Sequence, residues 1–172
     1  MRFEARRPSD AVKLVRARDM STTRHTIWID AIPARVYAAL LDPSLIARWR
    51  VPGGMGCDVH EFDAREGGAF RVSLTYDAPD AVGKSTAHAD TYRGYFEQLV
   101  PNQRVLERLA FETDDPRMQG EMRIATELSS EGSGTRLTAV HGNLPPGITP
   151  SDNEAGWHDA LTKLAALVEA GA

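Results

Sequence analysis

Only one cysteine, Cys57, occurs in the 172 residues. No disulfide can close within the chain and no cysteine cluster can hold a metal, a usage that fits a reducing cytoplasm. Long apolar runs are missing too, and none approaches the roughly 20 residues that a helix needs to cross a bilayer. The first residues are basic but carry no apolar core, so no secretory signal is expected. Metal-site spacings are absent. There is no H-x-H pair, and His60-Glu61 lacks the second histidine of H-E-x-x-H; His88 stands apart from both. The G-x-S-x-G, P-loop and dinucleotide fingerprints are absent as well. Neither a metal nor a cofactor is expected. A net charge of −4 lacks the basic face that nucleic acid needs.

The charge is uneven, however. Residues 1–24 carry seven basic side chains against three acidic, a net of +4, which leaves −8 for the rest. This leader reads either as a short arm for nucleic acid or a membrane surface, or as a loosely ordered extension over 1–21. Met20 is a candidate translation start. Residues 22–172 form one domain, long enough to bury a core. A hydrophobic content of 42% and a charged content of 26% are those of an ordinary globular protein.

Within that domain the periodicity changes three times. His25 to Asp30 is rich in β-branched and aromatic residues and predicts a first strand. Pro33 suits the start of a helix, and Val36, Tyr37, Leu40 and Leu41 share one face of it. Asp42-Pro43 breaks that helix, and Leu45, Ile46 and Trp49 make a second short stripe. From there to about residue 143 strands and turns dominate. Phe70, Val72, Leu74 and Tyr76 alternate with polar residues, as do Met122, Ile124, Thr126 and Leu128. Asp77 to His88 reads as a polar, mobile loop. The last strand puts Leu137, Ala139 and His141 on one face. Ser151-Asp152-Asn153-Glu154 matches a capping box, and Trp157, Leu161, Leu164 and Val168 form the apolar stripe of a closing helix of about 18 residues. Strands joined by short turns imply an antiparallel meander, covered by the only helix long enough to do so. The expected fold is α+β: a curved antiparallel sheet of about seven strands, two short helices after strand one, and a long C-terminal helix across the sheet.

These features resemble the START-like, helix-grip (SRPBCC) superfamily. The likeness rests on the order of elements and on Pro33 with the Val36–Leu41 stripe. It rests also on Asp42-Pro43 before Trp49, on Asp63-x-Arg65-x-Gly67-Gly68, and on Gly156-Trp157-x-x-x-Leu161-x-x-Leu164. Within the superfamily the chain is most similar to single-domain homologues of the activator of the heat-shock-protein-90 ATPase, over roughly residues 22–170. The resemblance implies a cavity between sheet and helix suited to a small hydrophobic or aromatic molecule. It does not imply co-chaperone activity, since fold does not fix chemistry. The chain also has no room for the additional domain that a true chaperone activator uses.

The expected cavity lining comprises Trp49, Phe62, Phe70, Val72, Leu74, Tyr76, Tyr92 and Phe96 from the first half of the chain. Glu107, Leu109, Met122, Ile124, His141, Trp157, Leu161 and Leu164 complete it. Several of these have a plainer reading. Trp49 and Trp157 serve equally as core, because apolar cavities are lined by core-like residues. Tyr76 either orients a ligand or stands at an edge in water. His141 is either an acid–base group or a histidine bonded to a loop carbonyl. Glu61 and Asp63 share a strand face, as a cavity base or as salt links to Arg65 or Arg71. Glu107 lies in the apolar parity of Val105, Leu109 and Phe111, so it is either a buried carboxylate that needs a partner or one turned outward by a β-bulge. Cys57 lacks an activating motif and reads as a packed or surface thiol.

The expected function is therefore ligand binding rather than catalysis, in a cytoplasmic protein without a membrane span; a homodimer stays open. The alternatives are an enzyme of cyclase, dehydratase or hydrolase type that uses a cavity carboxylate or histidine, and an interaction module like the chaperone activators.

Overall fold

The computed structural model describes residues 22–78, 83 and 89–172. The leader and most of the loop expected over 77–88 lie outside them. Strand β1 spans Thr23–Ile29, followed by α1 (Pro33–Leu40) and α2 (Pro43–Trp49). Six strands come next: β2 (Met55–Phe62), β3 (Ala69–Tyr76), β4 (Ala89–Val100), β5 (Arg104–Phe111), β6 (Met122–Glu131) and β7 (Gly134–Gly142). Helix α3 (Pro150–Glu169) closes the chain.

Proline opens all three helices, at the position where a missing N–H costs nothing. Asp42 caps α2 by accepting from the Ser44 and Leu45 amides. The cap of α3 differs from the sequence reading. Thr149, not Ser151, accepts from the Asp152 amide, so the helix starts one turn before Asn153 and runs 20 residues. Pro150 decides this by fixing its own φ for the first helical position. Gly156-Trp157 accordingly lies in the second turn of the helix.

The sheet order is β1-β7-β6-β5-β4-β3-β2, every neighbouring pair antiparallel. The segment from β2 to β7 is thus a meander, and α1 and α2 carry the chain across from β1 at one edge to β2 at the other. Register slips between Val59 and Glu61 and between Phe96 and Gln98. Such bulges bend a strand and raise its twist, which curls the sheet. The concave face packs on the helices. Its core joins Phe70, Val72 and Phe96 to Val36, Ile46 and Trp49, and Leu137 and Ala139 to Leu161, Leu164 and Val168.

The Asp63–Gly68 turn pins the bulge in β4. The Gly67 amide donates to the Phe96 carbonyl at 2.7 Å, the Phe96 amide to the Gly68 carbonyl at 3.0 Å, and Glu66 accepts from the Leu99 amide at 3.0 Å. Asp63 pairs with Arg65 at 2.6 Å on the surface. The charges of this segment therefore brace a turn. A Cβ on Gly68 would sit 2.0 Å from the Asp63 carbonyl oxygen, which only a backbone shift can relieve. Gly68→Ala is expected to cost about 2 kcal/mol. Gly53→Ala, where a Cβ meets nothing within 4 Å, is expected to be neutral within about 0.5 kcal/mol. Urea denaturation of the two variants checks both values.

Candidate functional site

Period-2 alternation aims one residue in two of each central strand at α3. Toward one end of the sheet these side chains do not meet the helix, and a half-open cavity of about 350 Å³ remains. That is within the range of small-molecule sites. Leu74 and Tyr76 of β3, Tyr92 of β4, Leu109 and Phe111 of β5, and Met122 and Ile124 of β6 form its sheet wall. Asn153, Gly156, Trp157 and Ala160 recur at helical spacing and form the opposite wall. Arg50, just past the end of α2, and Ile148, ahead of α3, close the sides.

Besides Asp152 and Asn153 on the helix wall, the polar groups fall into two pairs. At one pole the Arg50 guanidinium donates to Glu107 at 2.8 Å, both side chains being almost wholly buried. Its central carbon lies 5.4 Å from the Tyr92 ring centre and 5.3 Å from that of Trp157, a cation held between two π faces. Burial opposes the charge on Arg50, but the Glu107 carboxylate outweighs it and pushes the pKa up. Burial pushes the Tyr92 hydroxyl up to about 12, although Arg50 opposes the shift, so it stays protonated. That hydroxyl has no hydrogen-bond partner among the described residues. At the other pole Tyr76 donates to Asp90 at 3.1 Å, and Asp90 is 2% exposed.

A third group lies behind Trp157. His141 is fully buried, its ring 4.3 Å from Trp157 and 5.5 Å from His25. Neither of its ring nitrogens is bonded among the described residues. Burial, then the neighbouring His25 and Arg50, push it down to about 3. Asn153 lies close enough to favour the charged form of both histidines a little, yet it reaches hydrogen-bond geometry only with Thr23, at 2.6 Å. His25 is lowered as well, chiefly by burial.

The structure thus brings Leu74, Tyr76, Tyr92, Leu109, Met122, Ile124 and Trp157 to the cavity. Trp49, Phe70, Val72, Phe96, Leu161 and Leu164 lie in the packed core, with Phe62 against it. Glu107 is buried with the partner its position demanded, and His141 stands one layer behind the wall. The loop carbonyl expected for His141 is not there. Burial raises the Cys57 pKa despite Arg50 nearby, so the thiol is a packed one. No group of three or more potential metal ligands occurs among the described residues. Arg50, Asp90 and Phe111 were missed by the sequence reading. Asp90 and Phe111 carry a signal, since each continues the parity of a residue already assigned inward, Tyr92 and Leu109.

Residues 30–169 match the family described as Activator of Hsp90 ATPase homolog 1-like protein. The chain belongs to this family. Its helix-grip fold typically encloses a ligand-binding cavity. Protein CV1439 from Chromobacterium violaceum is 34% identical, the match covering 87% of this chain and 97% of that one with a TM-score of 0.78. A protein from Rhodobacter sphaeroides is 19% identical over 88% and 93%, with a TM-score of 0.73. Protein NE0264 from Nitrosomonas europaea is 22% identical over 90% and 97%, with a TM-score of 0.67. The last two show the shared fold alone. No curated protein matches the chain. No helix of this family member is long and apolar enough, among the described residues, to cross a membrane.

Proposed function

We propose that this protein binds a small hydrophobic or aromatic molecule between its sheet and α3. The observation that carries the reading is the 350 Å³ cavity, walled by Leu74, Tyr92, Phe111, Met122 and Trp157 and furnished with a polar pair at each pole. Apolar walls supply affinity and a few placed polar groups supply orientation. Native mass spectrometry of protein purified from its own host is expected to show one bound small molecule per chain. A neutral naphthylamine dye is expected to bind 1:1 and to be displaced by it. Dye that partitions without saturation would argue against the reading.

One observation favours a second reading. Tyr76 and Asp90 meet at 3.1 Å at the cavity wall, a pair able to relay a proton if a ligand offers one. Under that reading the bound molecule is turned over, and Asp90→Asn abolishes turnover while the molecule still binds. Recovery of the ligand unchanged after prolonged incubation would leave the binding role.

A further inference from the structure

We propose that the occupant is a neutral aromatic molecule bearing one hydrogen-bond-accepting oxygen, such as a ketone or lactone, which docks on Arg50 and Tyr92, and that the site disfavours carboxylates. This rests on the binding role proposed above and names the ligand class.

The unsatisfied groups at this pole are donors. Among the described residues Arg50 donates one hydrogen bond, to Glu107, out of five N–H directions, and it forms part of the cavity wall. Tyr92 also belongs to the wall, and its hydroxyl is buried without an acceptor. A buried donor without a partner is rare in native structures; the Tyr92 hydroxyl is one, and it shares the cavity wall with the Arg50 guanidinium, whose remaining N–H groups are not used by Glu107. An acceptor oxygen supplied by a ligand would complete both.

The charge balance selects the kind of oxygen. Glu107 already neutralises Arg50 at 2.8 Å. Asp90 and Asp152 line the same cavity. A carboxylate ligand would add a further anion where the single wall cation among the described residues is already paired, and it would lose its hydration on entry. A carbonyl accepts the same hydrogen bonds and brings no charge. The flat faces of Tyr92, Phe111 and Trp157 favour an aromatic body.

Three naphthalenes of matched shape test this by calorimetry at pH 7.5: 2-acetylnaphthalene, 2-ethylnaphthalene and 2-naphthoate. The ketone is expected to bind about tenfold more tightly than the hydrocarbon, as a hydrogen bond to a charged donor implies. The naphthoate is expected to bind more weakly than both. Tyr92→Phe, which removes one oxygen and leaves the ring, is expected to lower ketone affinity about threefold to tenfold and to keep hydrocarbon affinity within twofold. R50M/E107L, which removes the cation without leaving its carboxylate unpaired, is expected to reduce the preference for the ketone to the part that the Tyr92 hydroxyl supplies. Circular dichroism confirms that each variant is folded. Equal affinity for ketone and hydrocarbon, or tighter binding of the naphthoate, overturns the proposed ligand class and leaves the binding role standing. Failure of all three to bind overturns both.

Discussion

Acidification from pH 6.5 to 4.5 is expected to cost the native state about 2 kcal/mol, and His141→Phe is expected to remove most of that loss. His141 titrates near 6.5 when unfolded and near 3 when folded, because burial, His25 and Arg50 all oppose its charge. Its folded pKa is depressed. Between the two values the unfolded chain binds the extra proton, so stability is full above about pH 6.5 and falls as pH drops toward 3. The slope is about 1.36 kcal/mol per pH unit for one such group. His25, lowered in the same direction, leaves a smaller residual slope in the variant. The carboxylates held down by hydrogen bonds, Glu97, Glu112, Asp115 and Asp42, add their own losses as pH falls from the usual carboxylate range downward, at the acid end of the titration. Urea midpoints of the wild type and H141F at half-unit pH steps measure both slopes. A wild-type midpoint that stays flat down to pH 4.5 would contradict the neutral, buried imidazole. At pH 7 the variant should be no less stable, since two unpaired ring nitrogens are exchanged for carbon.

Removal of one partner of the inner ion pair is expected to have the largest effect on stability. Glu107→Ala leaves the Arg50 guanidinium buried without its counter-charge, against the rings of Tyr92 and Trp157. Loss of one member of a buried pair costs about 3–5 kcal/mol, most of it the uncompensated charge left behind. Replacement of both by apolar groups of similar size, as in R50M/E107L, is expected to restore stability to within about 1 kcal/mol of the wild type. A double-mutant cycle in urea reads the difference as a coupling energy. A cost below about 1 kcal/mol for Glu107→Ala would show that water reaches the pair. The pair would then resemble the surface links Arg108–Glu97 and Arg71–Glu112, for which little effect is expected.

The same pair shows where sequence reasoning reaches its limit. Parity placed Glu107 inside, and a buried carboxylate requires a cation, so a partner was demanded. Nothing in the periodicity singled out Arg50 among the many arginines. It follows the last turn of α2, and its direction is set by how that helix packs against β2 and α3. The fold itself was readable because each element carries its own signal. Pro33 opens the first helix and Asp42-Pro43 separates it from the second. Alternation in Phe70–Tyr76 and Met122–Leu128 sets which strand face is apolar, and turns punctuate the meander.

Parity could not separate core from cavity. Phe70 and Val72 share a face with Leu74 and Tyr76, yet the first two pack in the core and the last two line open space. Position along the strand decides the matter, through how far α3 approaches, and that is a tertiary property. Leu161 and Leu164 lie where α3 is close; Asn153, Gly156 and Trp157 lie where it is not. Asp63-x-Arg65-Glu66-Gly67-Gly68 was legible as a fold marker, and its contacts with the β4 bulge explain why. It takes no part in the cavity.

Gly156 offers the most direct test that the cavity is the working site. It sits mid-stripe between Asn153 and Ala160 on the cavity wall of α3, and a Cβ there meets nothing within 4 Å. A large side chain at this position fills the cavity without displacing the core, and the exchange of a helical glycine for phenylalanine favours the helix by about 0.5 kcal/mol. Calorimetric titration of the wild type and Gly156→Phe with the neutral naphthylamine dye, beside their thermal melts, is the measurement. Saturable 1:1 binding to the wild type is expected, and no binding to a variant that melts at the same temperature or higher. Equal binding to both proteins would contradict the cavity as the working site.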